Sequence, residues 1–342
     1  MTKPKKIFIS PLDWGLGHTT RCIPIAQELH KQGHSITFGV NEVQKSLLTQ
    51  ELDFGNYTPF EGYNIQYPKG SNMAFKMLLE SPKILKRIKS EHLELQTLID
   101  KHNFDLIISD NRFGLHSKKI PCSYVTHQIN IQGPKLIKKH LHKIHGKYIN
   151  QFSKCWIPDS ATKNNLGGEL SHGNLHPNCS YINPLSRFNK KASSELEDIE
   201  YLAILSGPEP QRSEFEAIII RELKKTKAKC VILGGKPLTN ENHTIDNIEY
   251  FPHLDSKQLY KIMCRSKKVI CRPGYSSIMD LSVLQKPVHF IPTPGQTEQE
   301  YLASLHGKEK GWSKQDRLDL SNDIKYRLLP EIENDKLELK FD

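Results

Sequence analysis

The sequence predicts an α/β protein made of two doubly wound domains that face each other across a cleft. Short apolar runs that read as buried strands alternate with segments of helical period, first over residues 6–126 and again over 200–291. A polar stretch, 188–199, with Lys-Lys, Ser-Ser and Glu-Leu-Glu-Asp, separates the two series and reads as a linker. The 342 residues suit two domains at roughly 150 residues each. The expected division is 1–187, linker 188–199, and 200–342.

Each element follows from local pattern. Lys-Ile-Phe-Ile-Ser at 6–10 reads as a buried strand. Glycine punctuation at Gly15 and Gly17 leads into a helix from about Thr19 to Lys31, with Ile23, Ala26 and Leu29 on one side. Gly33 ends that helix and residues 35–40 form the next strand. This strand–loop–helix–strand unit is the building block of a parallel sheet. A helix at about 84–102 precedes strands at 106–109 and 122–126. The second series has strands at 200–206, 230–233, 248–251, 268–271 and 288–291. Helices at 213–226, 256–265 and 276–284 lie between them. A helical pattern after Asp316, running to 342, can stay on the second domain or cross back to the first. Ligands of such folds sit at the carboxyl ends of the strands, here in the cleft.

Composition narrows the class. The chain is 37% hydrophobic and 25% charged, which is neither disordered nor collagen-like. No stretch approaches the roughly 18 apolar residues of a membrane-spanning helix. Residues 1–30 show no signal-peptide pattern, and the seven cysteines form no Cys-x-x-Cys pair, so a reducing cytoplasm is expected. The net charge of +10 is one-sided: residues 1–190 hold 25 Lys and Arg against 14 Asp and Glu, and residues 191–342 hold 23 against 24. A basic half of this kind faces anionic lipid, nucleic acid or a phosphorylated substrate, or is simply a soluble surface.

Four loops carry residues suited to chemistry. In 13–21, Gly15 and Gly17 allow close backbone approach, and the helix beyond presents free N–H groups to an anion. His18 at its start can accept a proton from a hydroxyl nucleophile. The loop has neither the Lys-Ser/Thr of a phosphate-binding loop nor the third glycine of a dinucleotide fingerprint. In 205–213, Ser206, the Gly207 N–H and Arg212 can meet a phosphate. In 271–281, Arg272 and a turn at Gly274 precede Ser276 or Ser277 as helix cap and Asp280 in the first turns. A carboxylate there suits ribose hydroxyls. In 287–299, Gln296, Glu298 and Gln299 suit sugar hydroxyls. Asp110, in Ser-Asp-Asn-Arg after the strand at 106–109, also sits at a carboxyl strand end.

These segments in this order resemble the GT-B glycosyltransferases, and specifically glycosyltransferase family 28. That group contains the enzyme that adds N-acetylglucosamine to the peptidoglycan lipid precursor. The resemblance runs from Ile7 to about Ala303 and is closest over 248–303. Arg272-Pro-Gly-Tyr-Ser-Ser-Ile-Met-Asp280 looks like the family's Arg-Ser-Gly-Ala block, whose acidic residue, on the nucleotide ribose, falls on Asp280. The resemblance therefore implies a donor site of Ser206, Gly207, Arg212, Phe251, Arg272, Gly274, Tyr275, Ser276, Ser277, Asp280, Gln296, Glu298 and Gln299. Leu302 replaces the family's asparagine near Gln299. Gly15-Leu-Gly17-His18 is similar to the family's Gly-Gly-His loop, and His127-Gln-Ile-Asn130 to its His-Glu-Gln-Asn block. Gly15, Gly17, Arg21, His127 and Asn130 then line the acceptor side. Because Gln128 replaces a carboxylate of that block, the expected general base is His18, with Asp13 or Asp110 as the next candidates.

No Asp-x-Asp triplet occurs, and His172 and His176, a histidine pair at i, i+4, have Gly173 and Asn174 between them, which argues against a helix, so no metal and no cofactor beyond the donor substrate is expected. Residues 135–149 place Ile137, Leu141, Ile144 and Tyr148 at helical spacing amid lysines. Such a helix packs its stripe on the core or lies on an anionic membrane. The implied function is metal-independent, inverting transfer of a hexose or N-acetylhexosamine from a UDP-sugar to a hydroxyl acceptor. The expected location is the cytoplasm or the inner face of its membrane. The alternatives are a nucleotide-sugar 2-epimerase of the same fold and a catalytically silent nucleotide-sugar binder. No nucleic-acid-binding motif is present.

Overall fold

A computed structural model describes residues 3–63, 73–131, 135–162, 164–193, 196–239, 241–308, 310–320, 324–332, 337 and 339, with the backbone alone over 73–81 and 135–139. The first sheet has seven parallel strands: β1 (Lys6–Pro11), β2 (Ser35–Val40), β3 (Asn56–Pro59), β4 (Leu106–Asp110), β5 (Cys122–Val125), β6 (Lys154–Ile157) and β7 (Cys179–Tyr181). Their order is β3-β2-β1-β4-β5-β6-β7. The second sheet has six strands: β8 (Ile199–Ile204), β9 (Cys230–Leu233), β10 (His243–Ile245), β11 (Ile248–Phe251), β12 (Ser266–Cys271) and β13 (Val288–Phe290). Their order is β10-β11-β9-β8-β12-β13, parallel except for β10.

Among the described residues eight helices connect and cover the strands: α1 (Leu16–Lys31), α2 (Glu42–Glu51), α3 (Met73–His102), α4 (Lys135–Ile149), α5 (Gln211–Thr226), α6 (Ser256–Arg265), α7 (Tyr275–Leu284) and α8 (Thr297–His306). The central strands are mainly apolar because helices bury both their faces; Ile7, Phe8 and Ile9 are all inaccessible. Asn41 with Gln44 and Asp255 with Gln258 form capping boxes that start α2 and α6. An apolar cluster runs without a break from Ile9 and Cys22 in one domain to Met279 and Leu302 in the other. The domains therefore meet through packed side chains as well as polar contacts.

Some elements differ from the sequence reading. The sequence pattern assigns no element at α2, β3, β6, β7, β10 or α8; the four strands have only three or four residues each, and a Pro-Gly turn masks the start of α8. The expected helix after Asp316 is absent among the described residues. A single turn at Gln315–Arg317 is followed by extended chain, with Trp312 paired to Phe290 and Arg327 to Val288. The reason is period: Leu318 and Leu320, and again Ile324 and Tyr326, stand two apart; the first pair is buried in the core of the second domain and the second packs against it. This segment stays on the second sheet; residues 321–323, 333–336, 338 and 340–342 lie outside the described set, as do 194 and 195 of the linker. On α4 His145 and Ile149 are buried and Tyr148 of the expected stripe stacks on Phe113 at 4.6 Å, whereas Ile144 is 41% exposed. The helix is turned from the expected stripe at Ile144 because His145 meets the edges of Phe113 and Tyr124. The Ile137 side chain is outside the described set.

Candidate active site at the domain junction

β1, β4 and β5 are neighbours, so the chain leaving each of them converges on one point. After β1 the backbone tightens, with the Gly15 N–H bonded to the Asp13 carbonyl at 3.0 Å. Gly15 caps α1 with φ of 89°, a left-handed value that glycine adopts without strain. α1 thus begins at Leu16 rather than Thr19. His18 and Arg21, three residues apart, share one face of its first turns.

Asp110, the last residue of β4, is fully buried. Its Oδ1 lies 2.6 Å from His18 Nδ1 and 2.5 Å from Arg21 Nη2, and its Oδ2 accepts from Arg21 Nε. Burial disfavours the Asp110 charge, but Arg21 and His18 outweigh that and hold its carboxyl below the usual carboxylate range. An ionised Asp110 only accepts, so His18 Nδ1 carries the proton and Nε2 is left as the basic atom. The His18 side chain keeps 16% of its surface open. A buried carboxylate orienting a partly exposed imidazole is the arrangement of a general base.

The network continues into the second domain. Arg21 Nη1 lies 3.0 Å from His127 Nδ1, and His127 Nε2 lies 2.7 Å from Glu298 Oε1 at the start of α8. Gln128 donates to the other Glu298 oxygen. Burial pushes the His127 imidazole down, against the opposing pull of Glu298, so it is neutral. For Glu298 burial acts upward, but His127, His18 and Arg21 keep the carboxyl below its ordinary value. The His127 ring stacks on Tyr275 at 4.1 Å and 4°. Tyr275 donates to the Pro158 carbonyl at 3.1 Å, and Ser276 to the Gly17 carbonyl at 2.7 Å.

Several expected donor residues are placed differently. Arg272 is fully buried inside the second domain. It donates to the Ile291 carbonyl at 3.0 Å and to Gln315, and lies over the Phe215 ring at 4.0 Å. Arg212 is paired with Glu209 and Glu216 and bonded to the Gly234 carbonyl, so its charge is already matched. Asp280 is held by Ser186 Oγ at 2.9 Å and by the Arg187 guanidinium at 3.1 Å. Arg187 also reaches Glu51 of α2 at 3.3 Å, tying the chain between the sheets to both domains. Tyr275 and Ser276 serve the domain contact, and Gly274, not Ser276 or Ser277, caps α7. Gln299 Oε1 accepts from the Thr293 N–H at 2.8 Å. The Phe251 carbonyl accepts from the Gly234 N–H at 2.8 Å.

On the acceptor side, Asn130 donates to the carbonyls of Glu169 and His172 and so anchors a turn. Asp13 accepts from the Tyr63 N–H at 3.0 Å. A Cβ on Gly17 would come within 3.1 Å of Ser276 Oγ. Gly15, Gly207 and Gly274 instead border open space, with nothing closer than 3.9 Å to an added Cβ. Ser206, Ser277 and Gln296 are half-buried beside these openings. Arg187 is a participant that the sequence pattern does not single out, its one signal being its place beside the linker, and Gln128, which the sequence marks only as the replacement of a carboxylate, is another. Among the described residues no group of three or more His, Cys, Asp or Glu is placed to hold a metal ion.

Two facing sheets, each with ligand loops at its carboxyl end, define the GT-B fold. The spinosyn rhamnosyltransferase SpnG complexed with thymidine diphosphate shares it, with a TM-score of 0.58 at 11% identity, covering 90% of this chain and 86% of that one. Residues 187–317 match the glycosyltransferase family 28 C-terminal domain. An uncharacterized glycosyltransferase of Methanosarcina acetivorans is 22% identical over 88% of this chain and 81% of its own. The UDP-N-acetylglucosamine–N-acetylmuramyl-(pentapeptide) pyrophosphoryl-undecaprenol N-acetylglucosamine transferase of Haemophilus ducreyi is 23% identical over 88% of this chain and 82% of its own. The chain has the fold of the GT-B glycosyltransferases, and its second domain resembles the C-terminal domain of glycosyltransferase family 28.

Proposed function

We propose that this glycosyltransferase moves a hexose or N-acetylhexosamine from a UDP-sugar to a hydroxyl acceptor with inversion, without a metal or other cofactor. The observation that supports this best is the His18–Asp110 pair at the mouth of α1. His18 Nε2 removes the acceptor proton as the oxygen attacks the anomeric carbon, and the bond to the diphosphate breaks on the opposite side. Asp110 orients the imidazole and balances the positive charge it gains. The departing diphosphate meets backbone N–H groups at the Ser206–Gly207 loop and at the start of α7 beside Gly274. Glu298 and Gln299 face the sugar, and Asp280 meets the ribose once Arg187 gives it up. UDP as the nucleotide is suggested by the Haemophilus relative, whose name specifies UDP-N-acetylglucosamine.

A lipid-linked acceptor at an anionic membrane on the cytoplasmic side completes the proposal. α3 and α4 cover the same face of the first sheet, and their outer surface exposes Leu85, Leu93 and Ile144 beside Lys86, Lys89, Lys143 and Lys147. No helix among the described residues is long and apolar enough to cross a membrane.

The test is thermal stabilisation by UDP, UDP-N-acetylglucosamine, UDP-glucose, UDP-galactose, GDP, dTDP and ADP. A ligand at 100 times its Kd adds about 2.7 kcal/mol, a readable rise in Tm. A shift confined to the uridine compounds is expected. Stabilisation by another base alone, or a product that retains the donor's anomeric configuration, would overturn the donor or the mechanism respectively. UDP-sugar incubated without acceptor reports epimerisation if the alternative holds.

A further inference from the structure

We infer that Arg21 is a positioning residue that couples the base in one domain to the sugar-facing carboxylate in the other, by setting opposite tautomers on His18 and His127. The inference rests on the general-base reading of His18.

Arg21 is 2% exposed and presents its guanidinium to three side chains at once. Nε and Nη2 hold both oxygens of Asp110. Nη1 lies 3.0 Å from His127 Nδ1 and Nη2 lies 2.9 Å from His18 Nδ1. His18 Nδ1 is closer to the anionic Asp110 Oδ1, at 2.6 Å, which takes its proton, so the Nη2 approach to His18 is a contact and only the one to His127 is a hydrogen bond. A guanidinium only donates. It therefore requires a lone pair on His127 Nδ1, which leaves the His127 proton on Nε2, aimed at Glu298 Oε1. The two Arg21 N–H groups on Asp110 keep that carboxylate in the plane where Oδ1 takes the His18 Nδ1 proton. His18 is thus protonated on Nδ1 with Nε2 free, and His127 the reverse. One cation stands between two carboxylates that belong to different domains, and a single chain of bonds joins them: Glu298–His127–Arg21–Asp110–His18. When a sugar hydroxyl engages Glu298, His127 and Arg21 transmit the change to the base. A lysine, with one nitrogen in place of a planar fork, holds the charge but not this geometry.

The experiment uses the full chain labelled with 15N-histidine, as wild type, Arg21→Met, Arg21→Lys and Glu298→Gln. Imidazole nitrogen spectra above the histidine pKa report each tautomer without substrate. Single, opposite tautomers are expected for His18 and His127 in the wild type. Arg21→Met should mix the His127 tautomers, and Glu298→Gln should move the His18 signals only when Arg21 is present. UDP release from UDP-N-acetylglucosamine should fall about 10–100-fold in Arg21→Met, mainly in kcat, with partial recovery in Arg21→Lys. Identical tautomers in Arg21→Met, or losses from Arg21→Lys and Glu298→Gln that simply multiply in the double variant, would overturn the proposal. The Lys and Gln variants keep the question open to test if Arg21→Met fails to fold. His18→Ala separates the two readings. Undiminished UDP release in that variant would remove His18 as base while leaving the tautomer result to stand or fall alone.

Discussion

The polar side chains at the carboxyl ends of the two sheets are committed differently. In the first domain His18, Arg21, Asp110 and His127 converge on one another and on the cleft. In the second domain Arg272 and Arg212 turn inward to carbonyls and glutamates of their own fold, and Asp280 is held by the connecting chain. Both sets look alike in sequence: charged residues just past a strand. The difference teaches that such a cluster serves a ligand only where its internal pairing leaves one member partly exposed, as the Arg21–Asp110 pair leaves His18. Buried charges seek such partners because leaving them unpaired costs several kcal/mol.

The largest expected effect breaks the comparison on the side of the first domain. His18→Ala should lower UDP-sugar turnover about 10²–10⁴-fold with little change in donor affinity, measured by UDP release and by nucleotide-induced Tm shift. Asp110→Asn should follow it in direction, since an amide no longer balances the imidazolium. A smaller loss than that from Arg272→Met would reverse the assignment of the two clusters.

Next comes a buried histidine that serves the fold alone. His145 is 4% exposed, and burial with His176 and His142 nearby lowers it to about 4. The unfolded chain binds this proton near pH 6.5 and the folded chain does not, so stability is lost as pH falls from about 6.5 toward 4. The loss reaches roughly 3 kcal/mol, from about 1.4 kcal/mol per pKa unit. Denaturant titrations across this range should show it, and His145→Gln should flatten the slope.

Arg272→Met sharpens the contrast. It removes bonds to buried carbonyls and should cost about 2 kcal/mol in stability while sparing nucleotide affinity in the folded fraction. Weakened UDP binding at unchanged Tm would restore Arg272 to the donor site. The smallest effect concerns the outer surface of the first domain. Lys147→Ala should weaken binding to anionic liposomes by about 1 kcal/mol, and Ile144→Asp should act in the same direction. Equal retention of both variants would remove α4 from any membrane contact.

Pattern alone determined the alternation of strand and helix, the two series, the linker and the loops that bear His18, Asp110, Arg272 and Glu298. It could do so because apolar period and glycine punctuation are local properties. The tertiary structure decided which of those residues meet. His18 and Asp110 are 92 positions apart and join because β1 and β4 are neighbours; in the sequence they stand as separate candidates for one role. The exposure of Ile144 on α4 and the course of the chain after Asp316 were settled in the same way. Which face of a helix turns inward, and whether a loosely apolar tail is helix or edge chain, depends on distant side chains such as Phe113, Tyr124 and those around β13. Arg21 shows the limit most plainly. Its residue type requires a counter-charge, but only packing selects Asp110 and His127 as its partners and extends the chain of bonds to Glu298 across the domain junction.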